Sequence, residues 1–254
     1  MARVYFLGTG TSSGVPQIGC QCPVCQSHNL KDSRLRTSIL FQTDNGKNIL
    51  FDCGPDFRLQ MLRSKISSID AILLTHEHFD HIGGLEELRP FSVFGNVPVF
   101  ADSYCCGKVK ERLAYLFQTE KYPGIPSISL NVINSEHTYS ILGQEIQPVE
   151  VMHGKRSILG FRLAKFAYIT DMSSISSKEK YKLKGVNVLI INALRQTPHH
   201  SHQMLSEALE IIKEVHPHES YIVHMSHQMG LHEVVDSLLP ENVHLAYDGE
   251  FIDV

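Results

Sequence analysis

No apolar run in the 254-residue chain approaches the ~18 to 20 residues needed to cross a bilayer, so no transmembrane helix and no membrane partner are expected. Excess positive charge is also missing. The formal net charge is −4, which removes any global field that would draw the chain to nucleic acid or an anionic surface. Nucleic acid stays open through a local basic patch but is not favoured. There is no low-complexity tract, no linker rich in Pro and Ser, and no short-period repeat, so a single domain over residues 1–254 is expected. The opening "MARVYFLGTGTSSG" has too short an apolar stretch for a secretory core and reads as a first strand. A cytoplasmic protein is the expectation, and in that reducing setting six cysteines point to metal ligands or core residues before disulfides.

The chain does hold apolar strands that finish in polar, chemistry-bearing residues. "SILFQTDNGKNILFDCG" reads as a hairpin about Asn45-Gly46, and "DAILLT" as a strand buried on both faces. Gly83 and Gly84 then break the chain before a helix beginning near Leu85. "FAYIT" runs to Asp171, "YIVHMSH" ends in histidines, and "HQMLSEALEIIKEV" has apolar residues at helical spacing. "VHLAYDGEFIDV" reads as two closing strands about Asp248-Gly249. Side chains that project past strand ends are where layered folds assemble sites.

"LLTHEHFDHIGGLEEL" crowds His76, His78, Asp80 and His81 into six positions. Coincidence, an acid–base site and a metal site are the three readings, and metal binding explains most. In an extended loop, residues i and i+2 face the same side, so His76 and His78 can share one ion while Asp80 and His81 turn to a second. A second cluster, "CQCPVC", places Cys20, Cys22 and Cys25 at a spacing that can wrap one tetrahedral zinc, although a closed site needs a fourth ligand.

"THEHFDHIGGL" resembles the central motif of the metallo-β-lactamase superfamily. That resemblance implies an α/β fold of αββα four-layer sandwich type with a dinuclear site on one edge. It also implies the remaining ligands: His153 in "VEVMHGKRSILGF", Asp171 in "AYITDMSSI" and His224 in "SYIVHMSHQ". His76, His78 and His153 would hold one divalent cation, and Asp80, His81 and His224 the other, with Asp171 bridging. Asp52 in "LFDCG" matches the family's early Asp-x-Gly, whose Asp supports the site without binding metal. "GTGTSSGVPQIGCQCPVC", "HGKRSILGF", "SHQ" and "YDGEF" further resemble the branch containing the phosphoribosyl 1,2-cyclic phosphodiesterase, itself related to the tRNA 3′-end ribonuclease Z.

In that branch a distant His completes the structural zinc, and His227 fits the position, although His224 and His227 could exchange roles. A non-ligand catalytic His best matches His202 among His199, His200 and His202, and Asp80 would steer the attacking water. The expected activity is hydrolysis of a small phosphodiester, foremost a ribose cyclic phosphate, with two Zn2+ or Mn2+ ions and one structural Zn2+. A tRNA 3′-processing endoribonuclease and a thioester or lactone hydrolase of the glyoxalase II kind are the alternatives. Substrate contacts are expected from Ser12–Ile18 and Leu113–Pro126. A homodimer stays open.

Overall fold

The computed structural model describes residues 1–92, 95–118 and 124–254. Two seven-stranded mixed sheets stack face to face. The first contains β1 (Arg3–Gly8), β2 (Ser38–Gln42), β3 (Asn48–Phe51), β4 (Ala71–Leu73), β5 (Val97–Ala101) and β6 (Ile128–Val132). The second contains β7 (Tyr139–Ile141), β8 (Gln144–His153), β9 (Arg156–Leu163), β10 (Phe166–Ile169), β11 (Val188–Asn192), β12 (Glu219–Val223) and β13 (Val243–Leu245). The last strand, β14 (Phe251–Asp253), returns to the first sheet and pairs antiparallel with β1. The two closing strands therefore belong to opposite sheets and do not pair with each other. The turn at Tyr247–Gly249 carries the chain across the end of the sandwich, where the Gly249 N–H donates to Phe6 O at 2.8 Å.

Each central strand feeds two cores. In β3, Ile49 and Phe51 point between the sheets, while Leu50 joins the layer under the helices Phe57–Ser64 and Ser103–Arg112. In β11, Val188 and Ile190 face inward, while Leu189 and Ile191 pack against Ala208, Ile212 and Val215 of the helix Leu205–Val215. Burial on both faces explains why these strands are continuously apolar. Aromatic rings fill the inter-sheet space, with Phe51 5.7 Å from Phe161 and 5.5 Å from Tyr168 between ring centroids. The layers run helix, sheet, sheet, helix, as the α/β reading anticipated. The helix expected near Leu85 is a 3-10 turn, Leu85–Leu88, leading into the short helix Arg89–Ser92. Among the described residues, no helix is long and apolar enough to cross a membrane.

β3 to β6 run parallel, as do β10 to β13. Their carboxyl ends gather at one edge. The backbone N–H of Leu159 in β9 donates to Thr75 O at 3.1 Å, which joins the two sheets at that edge.

Candidate metal centre

Strand ends deliver the candidate ligands. Asp52 directly follows β3, and His76 comes three residues after β4. His153 ends β8, Asp171 comes two residues after β10, and His224 directly follows β12. Asp52, Asp171 and His224 all adopt left-handed backbone, with φ of 59°, 57° and 58°. Such conformations cost on the order of 1 kcal/mol or more for residues other than glycine and gather at functional sites. The "DCG" and "GG" signatures have a packing cause. A Cβ on Gly54 would lie 2.1 Å from Asp80 O, and one on Gly84 would lie 2.1 Å from Gly54 O. Only glycine lets the loop after β3 press against the loop that carries Asp80.

One ligand atom each from His76, His78 and His153 lie within 4.8 Å of one another, and the same is true of Asp80, His81, Asp171 and His224. The two sets adjoin, because His76 Nε2 is 3.9 Å from Asp171 Oδ1 and His81 Nε2 is 3.3 Å from Asp171 Oδ2. His224 Nε2 lies 3.1 Å from Asp171 Oδ1 and 3.7 Å from Asp80 Oδ2. Yet neither of its ring nitrogens, both buried, makes a well-formed hydrogen bond. Buried polar atoms left this way are costly unless a further group satisfies them. The donor set, imidazole plus carboxylate, suits a divalent cation at each position.

The surroundings keep these groups ready to ligate. Burial, joined by the neighbouring His81, holds His76 well below the usual imidazole range. Burial works against charge on His81, but the carboxylates of Asp171, Asp80 and Asp52 outweigh it and hold the ring well above that range. For His224 burial is likewise outweighed by Asp171 and Asp80, and its pKa rises to about 9. Asp171 is held well below the usual carboxylate range because His224 and His81 overcome the cost of its burial. This is a buried anionic site that recruits positive charge. Protons fill that role when no metal is bound, and metal must displace them.

Supporting contacts orient the rings. Asp52 is buried and lies 2.9 Å from His81 Nδ1. It also accepts hydrogen bonds from Thr75 N–H (2.8 Å), Thr75 Oγ1 (3.0 Å) and Tyr168 OH (3.3 Å). The His153 Nδ1–H faces Ser201 O at 3.0 Å, which leaves Nε2 for the site. The Met152 backbone bonds Ser173 and Ser174, tying the strand of His153 to the loop of Asp171. Thr75, Tyr168 and Ser201 were not anticipated from sequence. Only Thr75, inside the motif itself, carried a signal there.

His202 closes one side of the site, its ring 4.7 Å from that of His153 and 5.0 Å from that of His224, with Nδ1 3.9 Å from Asp171 Oδ1. Burial and the adjacent His224 push its pKa down to about 3. His199 stands behind it at 5.4 Å, and His200 packs on His199. Of the two loops expected to contact substrate, Ser12–Ile18 follows Thr11, whose N–H donates to Met225 O beside His224. In Leu113–Pro126, residues 119–123 lie outside the described residues.

Sulfur and imidazole atoms of Cys20, Cys22, Cys25 and His227 also lie within 4.8 Å of one another. His227 Nδ1 is 3.2 Å from Cys22 Sγ and 3.6 Å from Cys20 Sγ. Donation from the Cys25 N–H, then the contact with His227, lowers the Cys22 thiol to about 6, whereas burial raises Cys25 to about 11. The geometry separates the two histidines that sequence could exchange, with His224 among the carboxylates and His227 among the thiols. Cys53, Cys105 and Cys106 are buried, free and far from this group in character, packed with apolar neighbours.

A family model described as a β-lactamase superfamily domain matches residues 47–225. The chain belongs to that family. A crystal structure described as a new diphosphatase from the PhnP family superposes with a TM-score of 0.92 at 38% identity, over 99% of this chain and 96% of that one. Zn2+-bound PqqB from Methylobacterium extorquens superposes with a TM-score of 0.83 at 18% identity, over 99% and 100% of the two chains, a likeness of fold alone. In sequence, a protein named octanoyltransferase from Porphyromonas gingivalis is 42% identical over 248 residues, which is 97% of this chain. The chain spans only 50% of that relative's length.

Proposed function

We propose that the chain is a metal-dependent phosphodiesterase. His76, His78 and His153 would hold one divalent ion and Asp80, His81 and His224 a second, with the Asp171 carboxylate available to both. The convergence of seven donor atoms from four strand ends carries the proposal. Such an ion pair supplies hydroxide at neutral pH and neutralises charge on phosphate oxygens. Asp80, ionised and at the rim of the second position, orients the attacking water. Asp52 and Ser201 hold the rings of His81 and His153 in a single orientation. His202 faces the place where a leaving group departs. An anionic phosphate bound beside it raises its proton affinity, so the ring can protonate the departing alkoxide.

The substrate is a small phosphodiester or phosphate anhydride, with a ribose cyclic phosphate foremost, as the likeness to the PhnP-family diphosphatase supports. Cys20, Cys22, Cys25 and His227 hold a structural zinc that pins the N-terminal loop to the end of β12. Acyl transfer or thioester hydrolysis is the second reading, favoured by the name of the Porphyromonas relative. Half of that relative lies beyond this match, and that half can account for its name. The test is turnover by the purified protein with Mn2+ or Zn2+ on bis(p-nitrophenyl) phosphate, ribose cyclic phosphates and nucleoside diphosphate esters, beside octanoyl thioesters and lactones. Phosphoester cleavage alone supports the proposal. Thioester or lactone cleavage without it defeats the proposal.

A further inference from the structure

The first metal position joins two separate parts of the chain. His76 and His78 stand on the loop after β4, and His153 stands at the tip of the β8–β9 hairpin. Glu77, between the two loop histidines, is buried. Its carboxylate meets the guanidinium of Arg156, the residue paired with His153 in the hairpin register. Paired residues in an antiparallel ladder project to the same face, so Arg156 and His153 move together.

The helix Ser103–Arg112 grips this pair from both ends. Tyr104 lies under Arg156, with the guanidinium carbon 3.8 Å from the ring centroid. Arg112 Nη1 donates to Glu77 O at 2.6 Å. A backbone bond, Leu159 N–H to Thr75 O, also ties the two parts close by. A partly desolvated ion pair stacked on an aromatic face is worth more than an exposed one and holds a defined geometry.

We infer that Glu77, Arg156 and Tyr104 form a brace that sets the spacing between the His76–His78 pair and His153. They are positioning residues, acting through the histidines they hold. The inference rests on the metal-binding reading of the site. Losing such an outer contact typically weakens metal affinity by about 10- to 100-fold.

The test uses the full chain and the variants Glu77→Gln, Arg156→Met, Arg156→Lys and the Glu77→Gln/Arg156→Met double. Metal content is measured by mass spectrometry after equilibration with graded chelator, alongside Tm. The brace predicts that Glu77→Gln and Arg156→Met each lose one active-site ion at roughly tenfold lower chelator strength. The double should be no worse than either single variant, Arg156→Lys should fall between, and the Cys-site zinc should stay. Chelation curves that match the wild type would overturn the brace, as would uniform loss of every ion with a fallen Tm. Should Glu77→Gln not fold, the order Arg156→Met below Arg156→Lys below wild type decides alone. A wild type that binds metal only at the cysteines would overturn the site reading itself, and the brace with it.

Discussion

The two candidate metal sites use opposite strategies. At the cysteine site, three ligands lie within six residues and one comes from far along the chain, on a partly exposed loop. At the His/Asp site, ligands come from four strand ends across both sheets, and six of the seven are half-buried or fully buried. Local ligands can be ordered by the metal itself, because little of the fold must form first. Dispersed ligands need both sheets folded before the site exists. The cysteine site offers three thiols and one imidazole, the composition of closed structural sites. The other offers carboxylates and open rings, the composition of a site that still admits substrate.

Breaking each site should therefore have different consequences. Asp171→Asn keeps the left-handed backbone, which Asn tolerates, but removes the shared anionic ligand. It should lower kcat by about 10^3-fold or more and empty both active-site positions, while leaving the cysteine zinc in place. Steady-state phosphodiester turnover and metal content check this. Cys22→Ser should do the reverse. It should remove one zinc per chain and lower Tm by roughly 10 °C, with turnover changed less than about tenfold below that temperature.

Acid sharpens the contrast between the sites. His224, with a pKa of about 9, and His81 must give up protons to ligate, so metal affinity should rise with pH and fall as pH drops from 8 to 6. Competition with a chelator at several pH values measures this slope.

The smallest effect concerns a buried histidine outside both sites. His232 is buried, accepts from Arg34 Nη2 at 3.0 Å, and is pushed down to about 4 by burial and then by Arg34. Its folded pKa is depressed, so stability is complete above the unfolded value near 6.5 and is lost as pH falls from there towards 4. His232→Gln should flatten that acid limb in thermal melts between pH 7 and 4.5.

Much of this was legible before any coordinates. Apolar runs such as "DAILLT" mark strands buried on both faces, and "HEHFDH" and "CQCPVC" announce ligands by density alone. His153, Asp171 and His224 are isolated in sequence, and only resemblance to a family singled them out. Physical pattern could not, because their proximity depends on which strands become neighbours. The left-handed backbone at Asp52, Asp171 and His224 left no trace either, since none is glycine. "YDGEF" was visible without a reason. The structure supplies one: Asp248 accepts from Thr9 N–H and Oγ1 and from Leu35 N–H, clasping the C-terminal turn to the "GTGT" loop. The two closing strands were legible about Asp248-Gly249, but which sheet each joins was not, and tertiary packing sends them to opposite sheets.

Anomalous diffraction from crystals grown with Mn2+ and Zn2+ tests the central claim most directly. The account predicts two peaks about 3.5 to 4 Å apart, flanking the Asp171 carboxylate, and a separate zinc peak among Cys20, Cys22, Cys25 and His227. Density showing the His and Asp side chains well ordered, with no anomalous signal between them at saturating metal, would contradict it.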